Sequence, residues 1–272
     1  MPELPEVETV KKGLQVNYLN KTIEKVEVYY PKILSNISEN EFTNHLKNQT
    51  IKAFHRKGKY IIIYLSHATL LVHLKMEGKF KFSLAAKDKH THLIFYFKDG
   101  SHLLYHDVRK FGKIWYFDKK INIFAVKPLN QLGLEPMEMP NADDLYEHFQ
   151  KTKRPLKSVL LDQTIVCGIG NIYADEICYA CKINPLKKAN EITYEETKQI
   201  ILNACKIFNE AIELGGSTIK SFQNAHGVDG RFQLKLKVYG KKNQKCSTCG
   251  QEIMKTFVNK RGTHFCPQCQ KV

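Results

Sequence analysis

The chain has 272 residues, of which 42 are Lys or Arg and 27 are Asp or Glu, giving a formal net charge of +15 at pH 7. Hydrophobic residues make up 43% and charged residues 25%, which excludes a wholly disordered chain. The longest apolar run, Tyr60 to Leu65, is too short for a membrane span, and the acidic start does not resemble a signal peptide. Such a basic chain suits two partners, nucleic acid or an anionic membrane surface.

The N-terminal segment predicts a short amphipathic helix over residues 5–18, because Leu4, Val7, Val10 and Leu14 recur at helical spacing. A proline suits the first turn of this helix, where its missing N–H is not needed. The helix would therefore begin almost at the chain start.

The first residues also hold a candidate nucleophile. If Met1 is removed, Pro2 becomes a secondary α-amine with a pKa of about 8, so much of it is neutral at physiological pH. A neutral amine can attack a sugar C1′ and form an iminium, with Glu3 donating a proton and Glu6, one helical turn on, holding the amine. The alternative is that Met-Pro is only a chain start and that the acids serve the helix dipole.

Residues 22–117 predict an antiparallel β structure, because short runs rich in Ile, Val, Phe and Tyr alternate with turns. The Asp99-Gly100 pair between two of these runs is a hairpin signal. Regular strand spacing indicates a sandwich or a barrel. Examples of the predicted strands are Thr22–Tyr30, Lys59–Ser66, Thr69–Met76, His92–Lys98 and Lys113–Phe117.

The pattern changes after residue 130. Residues 130–144 hold one Gly, two Pro and four acids and predict a linker. The segment 222–234 has two glycines and little periodicity, so it predicts an exposed loop, followed by a strand over Leu234–Tyr239. Helical spacing recurs in four stretches, 143–151, 155–163, 171–181 and 192–214.

Four of the eight cysteines lie in the last 27 residues, with the spacing C-x2-C-x16-C-x2-C. This pattern predicts one structural Zn²⁺ bound by Cys246, Cys249, Cys266 and Cys269, because four sulfur ligands leave no open position for catalysis. Gly250 suits a turn that needs positive φ. Two disulfides are the alternative, disfavoured without a secretion signal. The pair Cys178 and Cys181 lies in a helical stretch and is predicted to pack in the core.

The positive charge is concentrated in two blocks. Residues 51–100 hold ten basic and three acidic residues, and residues 201–272 hold twelve and four. Two separated basic blocks indicate two surfaces that close on one polyanion. A membrane-surface protein would more often show one basic amphipathic helix, which this sequence lacks.

Several motifs together resemble those of formamidopyrimidine-DNA glycosylase, a bacterial repair enzyme. They run in order from residue 2 to residue 270, and Leu4 stands where the related endonuclease VIII type usually has Gly. The resemblance therefore covers the whole chain and favours the formamidopyrimidine type. The motifs are MPELPEVETV, HRKGKYIII, HLKMEGKF, DVRKFG, GIGNIYADE, GGSTIKSF and the terminal segment ending RGTHFCPQCQ.

The resemblance implies an α+β multidomain fold with DNA lying in the cleft between domains. We expect an N-terminal antiparallel β-sandwich with a catalytic N-terminal helix (1–131), a linker (132–144), a helical helix-two-turn-helix domain (145–234) and a zinc-finger β-hairpin (235–272). The loop 222–234 would close over the extruded base. Ser217, Thr218 and Ile219, just before it, would line the pocket.

The resemblance also implies the catalytic residues. Pro2 corresponds to the nucleophile that displaces the base and forms the Schiff base, and Glu3 corresponds to the proton donor. Lys59 corresponds to the lysine of proton transfer in β-elimination, and Arg261 to the zinc-finger arginine that holds phosphates and assists δ-elimination. The product is a one-nucleoside gap with phosphates at both ends.

DNA contacts follow in the same way. Met76, Arg109 and Phe111 correspond to residues that enter the duplex and fill the void left by the flipped nucleotide, although Met76 and Phe111 alone would suggest core packing. Val108 replaces a proline common in the family. The remaining expected DNA contacts are His90, Lys153, Lys157, Asn171 and Tyr239.

The predicted function is therefore bifunctional excision of oxidised purines from duplex DNA, by a monomer in the bacterial cytoplasm that acts at the nucleoid. Two alternatives remain, an endonuclease VIII-like glycosylase for oxidised pyrimidines and a non-catalytic zinc protein that binds DNA. No membrane partner is expected.

Overall fold

The computed structural model describes residues 1–82, 87–217 and 230–271. The chain divides into two compact units. Unit 1 comprises Met1–Asn130 and Leu214–Arg231, and unit 2 comprises Gln131–Glu213 and Phe232–Val272. The described residues 214–217, 230 and 231 thus belong with the N-terminal part of the chain. The predicted domain boundaries stay a prediction.

Unit 1 begins with helix α1 (Leu4–Tyr18), which confirms the predicted N-terminal helix. Glu3 caps it, because the Glu3 side chain accepts from the third helical N–H and the Glu6 side chain accepts from the Glu3 N–H. The apolar face formed by Val7, Val10 and Leu14 is buried against the sheet that follows. A second helix, α2 (Glu39–Leu46), has the same kind of capping box at Ser38 and was not predicted.

Eight strands lie in the described part of unit 1. They are β1 (Ile23–Val28), β2 (Ile51–Lys57), β3 (Tyr60–Leu65), β4 (Ala68–His73), β5 (Lys79–Phe82), β6 (Thr91–Phe97), β7 (His102–His106) and β8 (Lys113–Asp118). In space they form two antiparallel four-stranded sheets with the orders β1-β6-β7-β5 and β2-β3-β4-β8. The predicted antiparallel sandwich is confirmed, and β2, β5 and β7 add to the strands given above as examples.

One apolar core joins the two sheets. Val26 and Phe95 from the first sheet and Ile61 and Val72 from the second belong to one buried cluster, which α1 and α2 also enter. A core of this size holds the sandwich without metal or disulfide. The Asp99-Gly100 signal is confirmed, because Gly100 has φ +82° between β6 and β7.

Unit 2 is mainly helical in the ranges described. Its helices are α3 (Asp143–Gln150), α4 (Leu156–Leu160), α5 (Asn171–Ala180) and α6 (Tyr194–Glu213). All four predicted helices are therefore present. Helix α5 packs against α6, where the Tyr173 and Phe208 rings meet edge to face at 5.3 Å, and the Phe232 ring stacks on Tyr173 at 5.5 Å. Cys178 is fully buried in α5, as predicted.

The chain ends in a two-stranded antiparallel hairpin of β9 (Met254–Val258) and β10 (Arg261–Phe265). The small apolar cluster beneath it holds Val238, Cys246, Ile253 and Cys266. Gly250 has φ +78°, as the turn after the first cysteine pair predicts. This core is far smaller than that of unit 1, so the hairpin needs other contacts to hold it.

The strand predicted over Leu234–Tyr239 is wrong. Residues Phe232–Leu234 form a short 3-10 turn and the following residues form no strand. The backbone N–H groups of Lys237, Val238 and Tyr239 all donate to the Glu176 carboxylate. Because one side chain takes three consecutive donors, they are not available to a strand ladder.

Candidate functional site

Pro2 is buried directly before helix α1, and Glu3 beside it is only 2% exposed. The Pro2 nitrogen is an amide as long as Met1 precedes it, so removal of Met1 is what creates the amine. Both residues are placed by the helix start itself, since Glu3 is the N-cap. The sequence predicted the helix that follows Pro2 and Glu3, whereas the capping role of Glu3 is seen only in the structure.

Glu6, also 2% exposed, links the helix start to a distant segment of unit 1. Its carboxylate accepts from the Glu3 N–H at 2.9 Å and from the Ser217 N–H at 2.7 Å. Gly216, with φ +81°, lies so close that a Cβ there would stand 3.1 Å from the Glu6 side chain. Ser217 is thus fixed beside the candidate nucleophile's helix, while Thr218, Ile219 and 222–229 of the expected closing loop lie outside the described residues.

Lys59 occupies the two-residue turn between β2 and β3 and is 5% exposed. Gly58 takes φ +54° at the first turn position, a conformation that glycine adopts without strain. Arg56 donates to the Gly58 carbonyl at 3.1 Å and to Glu8 of α1 at 3.0 Å. This pair ties the Lys59 turn to the N-terminal helix. Although burial opposes ionisation, Lys11 and Arg56 hold the pKa of Glu8 below its usual value.

His73 lies near Lys59 at the end of β4 and is buried. Its ring meets Tyr60 edge to face at 4.5 Å, and its Nδ1 accepts from the Lys75 N–H at 2.9 Å. Burial, with the charges of Lys75 and Lys59, lowers the pKa of His73 to about 3. The His73 imidazole is therefore neutral beside Lys59. Sequence reasoning did not single out His73, because one histidine in a strand carries no local signal.

Large apolar side chains are exposed in unit 1 where residues that enter a duplex were expected. Met76 is 39% and Phe111 49% exposed, which contradicts the core-packing alternative for both. Asp107 shapes the turn by accepting from the N–H groups of Arg109 at 3.0 Å and Gly112 at 2.8 Å. The Arg109 guanidinium lies 4.8 Å from the Phe111 ring centre. The turn thus presents a cation and an aromatic wedge together.

His90, expected to contact DNA, lies in a turn that Asp88 organises. The Asp88 carboxylate accepts from the His90 N–H at 2.9 Å and lies 3.1 Å from Nε2 of His106. Burial alone would raise the pKa of Asp88. Hydrogen bonds from this turn and from Lys81 outweigh burial and lower that pKa well below its usual value. Asp88 therefore stays ionised and holds the His90 turn.

In unit 2, two of the expected DNA contacts, Asn171 and Tyr239, lie at helix α5. Asn171 begins the helix, and its amide donates to the Gly262 carbonyl at 3.2 Å and to the Tyr239 hydroxyl at 3.5 Å. Glu176 of the same helix anchors Tyr239 through the three N–H contacts described above. Burial raises the pKa of Glu176, and these hydrogen bonds oppose the increase. Lys153 is exposed, and so is Arg261 at the start of β10.

Lys157 requires a correction. It was expected to contact DNA, but its side chain is 0% exposed, and its Nζ lies 2.7 Å from Asp175 Oδ1, also 0% exposed. The same nitrogen donates to the Gly262 carbonyl at 2.9 Å and to the Thr263 hydroxyl at 3.0 Å. A fully buried ammonium with three protein partners cannot also reach a phosphate. The sequence could not indicate this, since lysines are usually exposed.

The cysteine cluster confirms the predicted zinc site. The four Sγ atoms of Cys246, Cys249, Cys266 and Cys269 lie within 4.8 Å of one another. The Sγ atoms of Cys246 and Cys269 are 3.9 Å apart, and those of Cys249 and Cys266 are 3.5 Å apart. Four sulfurs about 2.3 Å from a tetrahedral Zn²⁺ stand about 3.8 Å apart, so the cluster fits that ion. The Tyr179 hydroxyl lies 3.2 Å from Cys246 Sγ; hydrogen bonds from it and from backbone N–H groups outweigh burial and lower the pKa of that thiol.

Comparison with known families matches three parts of the chain. Residues 1–114 match the formamidopyrimidine-DNA glycosylase N-terminal domain, and residues 132–223 match the H2TH domain of the same enzyme. Residues 243–272 match the zinc finger found in FPG and IleRS. No described helix is both long and apolar enough to cross a membrane.

Individual proteins match over nearly the whole chain. The formamidopyrimidine-DNA glycosylase of Bacillus licheniformis is 45% identical over 275 residues, covering all of both chains. The Lactococcus lactis Fpg bound to abasic-site DNA has a TM-score of 0.92 at 37% identity, covering 99% of this chain and 100% of that one. A structure of the same Lactococcus lactis protein with DNA containing an oxidised pyrimidine also matches, with a TM-score of 0.92 at 37% identity. This match covers 100% of each chain.

Proposed function

The chain belongs to the formamidopyrimidine-DNA glycosylase family, and from that membership we propose that it excises oxidised purines from duplex DNA and then cuts the abasic site. It is a DNA-repair glycosylase with abasic-site lyase activity, as its family is. One observation carries the assignment of residues. Pro2 is buried at the start of α1, where Glu6 fixes both Glu3 and Ser217.

The Pro2 amine, once Met1 is removed, is the proposed nucleophile. Its nitrogen attacks C1′ of the damaged nucleotide, the C1′–N bond to the base breaks, and the base leaves with a proton. Loss of the remaining nitrogen proton and ring opening of the sugar give an iminium between Pro2 and C1′. Glu3 is the proposed acid that moves protons during this step, because it adjoins Pro2 and is nearly buried.

Strand cleavage follows from the iminium, which acidifies the C2′ hydrogen. Removal of that proton expels the 3′-phosphate by breaking the C3′–O bond, and a second elimination expels the 5′-phosphate. Lys59, in the turn that Arg56 ties to α1, is the proposed proton-transfer group for the first elimination. Arg261 is the proposed phosphate ligand that assists the second.

DNA binding and base extraction are assigned to the remaining candidate residues. Met76 and Phe111 are proposed to fill the void left by the flipped nucleotide, and Arg109 to bond the base left without a partner. The proposed phosphate contacts are His90, Lys153, Asn171 and Tyr239. The zinc ion supplies no chemistry here, because its four cysteine ligands complete the site. We propose that the protein acts in the cytoplasm on chromosomal DNA, where its bacterial relatives would meet their substrate.

Borohydride trapping tests the nucleophile. An untagged protein with mature Pro2 should form a covalent adduct with a duplex carrying 8-oxoguanine opposite cytosine, and peptide mapping should locate the adduct at Pro2. Pro2→Gly should sharply lower both base release and strand cleavage, whereas Pro5→Ala, the matched change within α1, should leave the adduct in place. Absence of any adduct with the mature protein would overturn the proposed function.

A second substrate class has one observation in its favour. The Lactococcus lactis protein was crystallised with DNA containing an oxidised pyrimidine, and the present chain is 37% identical to it. Single-turnover rates on thymine glycol and on 8-oxoguanine duplexes separate the two classes. The purine assignment predicts the faster rate on 8-oxoguanine. Tight binding to abasic DNA without cleavage would instead indicate a non-catalytic DNA-binding protein.

A further inference from the structure

Strand β10 has one edge that no strand covers within the described hairpin. The hairpin has two strands, and β9 pairs with only one edge of β10. The Gly262 carbonyl and the His264 N–H point away from β9 and meet side chains of α4 and α5 instead. Backbone groups on such an edge need partners when they are buried.

The partners are a buried ion pair and one amide. Lys157 Nζ donates to the Gly262 carbonyl at 2.9 Å, and Asn171 Nδ2 donates to the same oxygen at 3.2 Å. Asp175 Oδ2 accepts from the His264 N–H at 2.8 Å and lies 3.2 Å from the ring Nδ1 of His264. Asp175 Oδ1 meets Lys157 at 2.7 Å, which links the two contacts.

These side chains thus satisfy the edge groups that a third strand would otherwise cover. One donor and one acceptor of β10, two residues apart, are matched by a cation and an anion that pair with each other. A two-stranded hairpin over four buried core residues is marginal by itself, so the ion pair sets where β10 lies against the helices. Arg261 directly precedes Gly262, so its backbone position depends on this contact.

We propose that Lys157 and Asp175 are positioning residues for Arg261. They hold β10 from the side opposite β9, and they do so independently of the cysteine ligands, which lie outside the contact. The inference rests on the proposed function, in which Arg261 assists the second elimination. It predicts that loss of the pair impairs the second elimination while the Schiff base at Pro2 still forms.

The test compares Lys157→Met, Asp175→Asn and the double variant, with Lys188→Met as the matched surface control, since Lys188 is exposed. Each zinc-loaded protein is mixed in excess with a duplex containing a preformed abasic site, and β- and δ-elimination products are quantified over time. Borohydride adduct, zinc content and melting temperature are measured on the same samples. The proposal predicts unchanged zinc content in every variant, and loss of zinc from Lys157→Met would overturn it, because the ion pair would then be needed to form the zinc site and not only to position Arg261.

Lys157→Met should lower the ratio of δ- to β-product about tenfold or more, as misplaced catalytic groups commonly do, with adduct yield and zinc content unchanged. Breaking one half of a buried pair should also lower the melting temperature. The double variant removes the unpaired charge, so its melting temperature should recover while its product ratio stays low. Recovery of both together would overturn the proposal, because the ratio would then follow stability.

Salt dependence separates this role from a direct DNA contact. If Lys157 touched a phosphate, its loss would reduce the slope of log Kd against log salt by about 0.9. Positioning predicts that Lys157→Met leaves the slope unchanged, and a reduced slope would overturn the inference. Absence of the Pro2 adduct in the parent protein would instead contradict the proposed function and would be visible before any variant is compared.

Discussion

The two units hold their candidate site residues by different means. In unit 1, Glu3 and Lys59 lie at a helix cap and a hairpin turn on a sandwich with a large shared apolar core. In unit 2, Arg261 lies on a hairpin with a four-residue core, held by a cysteine cluster and a buried ion pair. Apolar burial grows with domain size, whereas a small hairpin depends on a few specific bonds.

The candidate site residues of unit 1 and of unit 2 should therefore respond differently to mutation. Substitution of one polar residue in unit 1 removes only a part of the free energy of unfolding that the large apolar core supplies. Unit 1 should therefore stay folded. Substitution of a polar residue at the hairpin, or loss of its zinc ion, removes a large share of the interactions that keep the hairpin folded. Trp115, the single tryptophan, lies in β8 and therefore reports on unit 1 alone.

Zinc removal should give the largest effect. Structural zinc contributes about 10–16 kcal/mol to small finger peptides, so Cys266→Ser or chelation should release the cysteine turns. We expect affinity for abasic-site duplex to fall by about 1,000-fold or more as phosphate contacts are lost. The thermal transition of Trp115 fluorescence should stay where it is. A concerted loss of that transition would show that the units are not independent in stability.

Glu6 should give an intermediate effect within unit 1. Glu6→Ala leaves the buried N–H groups of Glu3 and Ser217 without their acceptor, at a cost of about 2–4 kcal/mol. Glu6→Gln keeps one acceptor oxygen and should cost about half as much. Urea unfolding followed by Trp115 measures both. Glu24→Ala, a change of an exposed acid, is the control, and equal stability of Glu6→Ala and the parent would contradict the role of Glu6.

His73 should give the smallest effect, visible as a pH dependence. Its pKa is about 3 when folded, against about 6.5 when unfolded, so the unfolded chain binds the extra proton between these values. The contribution of the neutral, buried His73 to the free energy of unfolding is therefore fully present above pH 6.5. It decreases as the pH falls from 6.5 towards 3. The advantage of the parent over His73→Gln should shrink by about 2 kcal/mol between pH 7 and pH 4.5. A difference that does not change with pH would contradict a neutral, buried His73.

Local patterns in the sequence were enough for much of the architecture. Helix α1 follows from apolar spacing and from the proline in its first turn, and the cysteine spacing alone predicts the zinc ligands. The four helices of unit 2 and the Gly100 and Gly250 turns follow in the same way. These features are determined within a few residues along the chain, where periodicity and turn chemistry operate.

Only the tertiary structure decided which polar residues hold the site together. Lys157 and Gly262 are 105 positions apart, and Glu176 and Val238 are 62 apart, so no local pattern joins them. A lysine in sequence suggests an exposed charge, and residues 234–239 suggest a strand. Burial reverses both expectations, because a desolvated charge or backbone donor must find a partner, and here the partners come from distant segments.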